Sequence, residues 1–309
     1  MDILTGERWQ KIMNNASLQL AEKIRKEWGE LDTLRDQGLS YPDDVIRYEN
    51  VAYGTGDENH VLDIYVKKGI EPIATIVHVH GGAWVYSNKE FYKHYCLSLA
   101  ERGFGVINFN YRLAPEHPYP AALQDTNLLF EWLIENGERY GIDCNKITIM
   151  GDSSGAHIAA QYATMWSNCE YAELCGIKIP RDLVLHACVM NCGIYDILHT
   201  DLGEIQGVVA AYLNDEPEKY ELEMDIMRHV TEKFPPTYVM TASQDFVKNC
   251  SKDFCECLSQ SDVPYQYRLY GEEEEKQYEH VFHCDVKLPE ATVCNDEECE
   301  FLKNIFADK

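Results

Sequence analysis

Ser153 stands in Gly151-Asp152-Ser153-Ser154-Gly155, after the apolar run 146–150 and before an Ala-rich segment of helical character. That order predicts a strand, a sharp turn and a helix, with Ser153 at the apex. A side chain at position 151 or 155 would clash where strand and helix close on each other, which explains the two glycines. A hydroxyl so placed is presented at the carboxyl end of a strand, beside the free amides of a helix N-terminus. Serine is a poor nucleophile at neutral pH. It needs a base within hydrogen-bond reach, a group that orients the base, and donors for the oxyanion that forms on attack. Glycines also flank serines in ordinary turns, so the remaining partners decide.

Candidates for each partner lie where strands are expected to end. His80-Gly81-Gly82-Ala83-Trp84 follows the β-branched run 74–80, and its small residues would let backbone amides approach a bound carbonyl. Gly81, Gly82 and Ala83 are the expected donors there, with the amide of Ser154 as the remaining one. Asp245 comes shortly after the run 237–241, on the same sheet edge as the turn. Two other carboxylates compete: Asp253 falls inside an expected helix, and Asp262 precedes the last strand at its wrong end. For the base, His280 and His283 both follow the last strand, and their context favours neither.

The elements that must position these residues read as alternating strands and helices. Strands are expected near 45–53, 60–66, 74–80, 104–111, 146–150, 182–190, 237–241 and 265–270. Helices fall between them from residue 87 onward, the first begun by a capping box at Ser87-x-x-Glu90. Such alternation marks a mostly parallel sheet with right-handed crossovers. An amphipathic helix or helix pair precedes it over 5–36, with Trp9, Ile12, Met13, Ala16, Leu20, Ile24, Trp28 and Leu31 at spacings of three and four. Residues 195–232 interrupt the alternation. They read as helical and hold ten acidic residues against two basic. As an insertion between consecutive strands they are placed to cover the carboxyl end of the sheet.

With 309 residues the chain can bury a substantial core, and its net charge of -25 opposes nucleic acid and anionic membranes as partners. Residues 1–8 lack the basic and apolar regions of a signal peptide, and no apolar run approaches the ~20 residues of a membrane helix. A cytoplasmic protein without membrane insertion is therefore expected; a homo-oligomer stays open. The twelve cysteines include Cys188-x3-Cys192, Cys255-x-Cys257 and Cys294-x4-Cys299. None has the paired CxxC spacing of a zinc site, so reduced and mostly buried thiols are expected, with no metal.

HGGAW at 80–84, YRLAPEHPYPAALQD at 111–125 and GDSSGAH at 151–157 together resemble the hormone-sensitive-lipase-like branch of the α/β-hydrolases. Microbial acetyl esterases, carboxylesterases and arylacetamide deacetylases belong to that branch, and the resemblance covers roughly 60–290. The order Ser, Asp, His along the chain is also that of α/β-hydrolases. The resemblance implies an α/β-hydrolase core, 45–190 and 236–309, with a helical cap built from 1–44 and the insertion 191–235. It implies a serine esterase without cofactor, acting on small-molecule carboxylic esters with acetyl to butyryl acyl groups. It matches Asp245 to the acid, although the usual Pro-Leu-Arg context is missing, and it prefers His280-Val281-Phe282 for the base over His283. Ala83 stands where a third glycine is common, and 272–276 resembles an insertion before the histidine. Two other functions share the scaffold: an amidase such as an arylformamidase, and a ligand-binding homologue that has lost catalysis.

Overall fold

The structure is a computed structural model that describes residues 6–271 and 277–307, with the backbone alone for 6–15 and Glu204. The strands are β1 (Val45–Ala52), β2 (Val61–Lys67), β3 (Thr75–Val79), β4 (Gly105–Phe109), β5 (Ile147–Asp152), β6 (Leu185–Asn191), β7 (Thr237–Ala242) and β8 (Tyr265–Tyr270). They form one sheet in the order β1-β2-β4-β3-β5-β6-β7-β8. β2 runs antiparallel to both neighbours, and every pair from β4 to β8 is parallel. β3, β4, β5 and β7 are buried along their whole length, as their near-continuous apolar runs require of strands covered on both faces.

The helices are α1 (Gly6–Asp36), α2 (Lys93–Glu101), α3 (Ala121–Asn136), α4 (Ser154–Ser167), α5 (Cys169–Leu174), α6 (Gln206–Tyr212), α7 (Glu221–Met224), α8 (Lys248–Gln260) and α9 (Pro289–Phe306). One core layer lies between the sheet and α3, α4 and α8 and includes Phe130, Ala159 and Phe254. The other holds Leu97 and Leu99 of α2 against Cys294 and Leu302 of α9. The fold is the expected α/β-hydrolase arrangement, a mostly parallel sheet sandwiched by helices. Among the described residues no helix is long and apolar enough to cross a membrane.

One expectation needs correction and two are narrowed. The helix after β3 starts at Lys93, not at a Ser87 capping box. Ser87 sits at φ +82°, whereas an N-cap needs an extended backbone, and Glu90 is drawn into ion pairs with Lys89 and Lys93. The stretch 195–232 is helical as expected, but only in short pieces. Gly203, Asn214 and Asp215 take positive φ and Pro217 follows, so helix survives only in α6, α7 and short 3₁₀ turns. The N-terminal segment is a single helix. Of the expected stripe Ile24 is buried, as is Ala21 beside it, whereas Leu31 is 63% exposed. Trp9, Ile12 and Met13 have no described side chains, and the acidic stretch 272–276 lies outside the described residues.

α1 packs across α6, where a Cβ on Gly207 would come within 2.8 Å of Leu20 Cδ2. It is also tied to the loops that follow β3 and β4. The Arg25 guanidinium donates to the carbonyls of Val85 at 2.7 Å and Ala114 at 3.0 Å, and grips Glu116 with two further bonds of 2.7 Å.

Candidate active site

Ser153 occupies the turn between β5 and α4 at φ 53°, ψ -123°, a strained conformation for a residue with a Cβ. The neighbours hold it there. Its amide donates to the Asn191 carbonyl at 2.9 Å, at the end of the adjacent strand β6. A Cβ at Gly151 would lie 2.4 Å from the Gly155 carbonyl oxygen, and one at Gly155 would lie 2.1 Å from that of Val79. Both glycines are therefore steric requirements of the turn.

Ser153 Oγ lies 2.9 Å from His280 Nε2, and His280 Nδ1 lies 2.8 Å from Asp245 Oδ1. Asp245 follows β7, where the Thr241 hydroxyl donates to Oδ2 at 2.8 Å and the Val247 amide to Oδ1 at 3.0 Å. Burial would push the Asp245 carboxyl up, but the bond and charge of His280, with those two donors, hold it below the usual carboxylate range. The competitors lie elsewhere: Asp253 falls within α8, and Asp262 follows it before β8. His283 is fully buried against Asn191, Tyr95 and Cys284, and burial lowers it to about 3. The two histidines, indistinguishable by context, occupy different environments only three residues apart.

The loop after β3 is unusually constrained. Gly82 has φ +124°, and a Cβ there would sit 2.1 Å from the Tyr86 carbonyl oxygen; Ala83 and Trp84 also have positive φ. The Trp84 amide donates to Ser154 Oγ at 3.2 Å, and the Gly81 amide to the Tyr92 hydroxyl at 3.2 Å. Gly81 was expected among the oxyanion donors, but its amide is already engaged. What its glycine character serves is close approach, since a Cβ would meet Asp152 Oδ2 at 2.7 Å. Among the described residues the amides of Gly82, Ala83 and Ser154 keep no acceptor within the protein.

The segment 111–125 braces this loop. Tyr111 donates to the His80 carbonyl at 2.7 Å and stacks on the His80 ring, and the Ala114 amide donates to the Trp84 carbonyl at 3.0 Å. Arg112 and Asp125 close the segment on itself through contacts of 2.7–3.0 Å, and Asp125 also binds His60 Nε2 at 3.0 Å. His157, expected to pack near the turn, is buried and accepts from Trp84 Nε1 at 3.4 Å.

A cavity of about 760 Å³ opens over Ser153 and His280. Trp28 and Leu31 of α1, Leu202 and Ile205 from the stretch after β6, and Phe246 supply its apolar wall. Asp32, Asp201 and Glu279 face Arg35 as its only lining cation among the described residues, so the cavity carries negative charge.

A buried polar network beneath the turn had no local sequence signal. Asp152 accepts from Tyr92 at 2.6 Å and contacts His78 Nε2 at 3.2 Å. Glu298 of α9, fully buried, accepts from Tyr95 at 2.8 Å and from Asn191 Nδ2 at 3.0 Å. Burial raises its carboxyl to about 7.

A sheet of this order, with a strained serine between a strand and a helix, defines a hydrolase scaffold of α/β type. A family model described as alpha/beta hydrolase fold matches residues 76–283. The chain belongs to that family, in its hormone-sensitive-lipase-like branch. Esterase LipC of Mycobacterium tuberculosis is 28% identical over 215 residues, 65% of this chain and 52% of its own length. Arylacetamide deacetylase of Bos taurus is 38% identical over 93 residues, 28% of this chain and 23% of its own. The chain spans about half the length of the first of these relatives. Esterase B from Lactobacillus rhamnosis superposes with a TM-score of 0.85 at 21% identity, covering 95% of this chain and 97% of its own, and shares the fold.

Proposed function

We propose that the chain is a serine carboxylesterase that hydrolyses small-molecule esters with acetyl to butyryl acyl groups. Ser153 Oγ attacks the ester carbonyl carbon as its proton passes to His280 Nε2, with Asp245 fixing the imidazole and stabilising its charge. The oxyanion accepts from the amides of Gly82, Ala83 and Ser154, each donor contributing ~3 kcal/mol to the transition state. The bond to the alkoxide then breaks, and His280 returns the proton to that leaving oxygen. Water, deprotonated by the same nitrogen, attacks the acyl carbon and releases the carboxylic acid and Ser153. No step calls for a metal or cofactor.

The observation that carries this reading is the unbroken contact chain of 2.9 and 2.8 Å from Ser153 through His280 to Asp245, opening on the cavity. The relatives named as esterases support it. So does Esterase B, whose structure has been described with a C4-C4 tributyrin phosphonate inhibitor. We read α1 and the stretch between β6 and β7 as a cap over the α/β core. Its carboxylates turn away anionic alcohol moieties and leave neutral or cationic ones as substrates. Hydrolysis of p-nitrophenyl acetate, butyrate and octanoate by the purified chain tests the proposal. Ser153→Ala should lower kcat/KM at least about a thousandfold. A variant that keeps most of the activity would refute the role of Ser153. A series rising to octanoate would refute the short acyl range, and formanilide cleavage in place of ester cleavage would move the reading to an amidase.

A further inference from the structure

Cys192 lies beside the Ser153–His280–Asp245 chain, and ester hydrolysis does not require it. It follows β6 at φ 50°, in the left-handed region that a residue with a Cβ enters only at a cost. The backbone nonetheless holds it, through the bond from its amide to the Met240 carbonyl at 2.8 Å. Its side chain is fully buried, and its sulfur, a carboxylate oxygen of Asp245 and a ring nitrogen of His280 all lie within 4.8 Å of one another. One soft, one borderline and one hard donor at that spacing form a ligand set of the kind that holds zinc or cadmium with a fourth position left for water.

From this we infer that Cys192, Asp245 and His280 form a chelating site for a thiophilic divalent cation, and that its capture switches the hydrolase off. The inhibitory half of the inference rests on the proposed esterase reading; the binding half does not. The environment suits a metal–thiolate. The Val281 amide donates to Cys192 Sγ at 3.4 Å, and Thr241 and Val247 hold the Asp245 carboxylate in place. One thiolate and one carboxylate cancel the charge of a divalent ion, so a buried cluster carries no net charge. His280 is 20% exposed at the cavity, which gives the ion its route.

The proton balance explains the inhibition. Binding expels the Cys192 proton to solvent. The ring proton on His280 Nδ1, the nitrogen facing Asp245, gives way to the metal and moves to Nε2. An Nε2 that carries a proton can no longer accept one from Ser153.

The test is a zinc titration of ester hydrolysis by the reduced full chain, alongside a cadmium titration of the ultraviolet sulfur-to-metal absorption. We expect inhibition that a chelator reverses. Cys192→Ala should keep its metal-free activity, require at least tenfold more zinc for half-inhibition, and lose one thiolate–cadmium equivalent. Cys192→Ser, closer in shape, should behave the same way and guards against a packing defect in the alanine variant. Ser153→Ala should still bind cadmium, so a wrong esterase assignment would leave this arm standing. Equal zinc sensitivity of the wild type and both Cys192 variants would overturn the inference, as would an unchanged cadmium spectrum.

Discussion

Replacing Glu298 by Gln should stabilise the protein at alkaline pH and leave it nearly unchanged at acid pH. Glu298 is fully buried, and burial raises its carboxyl from 4.5 to about 7. In the unfolded chain the group ionises near its ordinary value. Between the two values the folded state therefore holds a proton that the unfolded state has lost. Stability contributed by the protonated form is fully present below the lower value and disappears as pH rises through the upper one. At 1.36 kcal/mol per unit the full loss is about 3 kcal/mol, of which roughly 2.5 kcal/mol falls between pH 5 and 8.5. Gln mimics the protonated acid: its carbonyl accepts from Asn191, and its amide donates to the Tyr95 hydroxyl. It has no proton to lose. For 309 residues the unfolding entropy makes the difference about 4 °C. Scanning calorimetry of both proteins across that range reads the gap in Tm directly. His283, lowered to about 3, stays neutral throughout and does not share the window. A gap in Tm that stays constant from pH 5 to 8.5 would refute the assignment of a neutral buried acid to Glu298.

Two further outcomes follow from the contacts around the cavity. Asp245→Asn should leave the fold intact but place an amide N–H where His280 Nδ1–H needs an acceptor, holding the ring in the wrong tautomer. We expect kcat on p-nitrophenyl butyrate to fall about 10⁴-fold, and a loss below tenfold would remove Asp245 from the mechanism. Asp125→Ala should act on stability, because it strands Arg112 and His60, both bound to that buried carboxylate. Urea unfolding should show a loss of about 3–5 kcal/mol, with kcat of the folded protein changed by less than about threefold.

The readable parts of the chain were those whose requirement is local. β3, β5 and β7 are written as short apolar runs because burial on both faces demands them, and each expected strand lies within three residues of the observed one. Gly151 and Gly155 were legible because their clashes involve residues of the same turn and of the strand beside it. The capping box at Ser87 failed because capping depends on φ as well as on residue type. The loop from Gly82 to Ser87 is bent by its own carbonyl contacts into positive φ, where Ser87 cannot cap. The stretch 195–232 has helix-forming composition. Gly203, Asn214, Asp215 and Pro217 divide it into short helical pieces.

What stayed hidden were contacts made across the sheet. Thr241 lies four residues before Asp245 and could have been noticed as a β-strand hydroxyl able to reach back to the acid. Asn191 and Glu298 offered no such hint, because their bond joins positions 107 residues apart. In a sequence, Glu298 is one more acid on an amphipathic C-terminal helix, with Asp296, Glu297 and Glu300 around it. Burial separates it from them: α9 turns Cys294, Glu298 and Leu302 toward the sheet at a spacing of four, and only the middle one is a carboxyl. A carboxyl at that place in an apolar stripe breaks the pattern of its own helix. The partner that makes it tolerable, the Asn191 side chain, belongs to the residue whose carbonyl holds the Ser153 amide. The departure from pattern in α9 thus marks the helix that reaches under Ser153, a link that required the sheet order before it could be read.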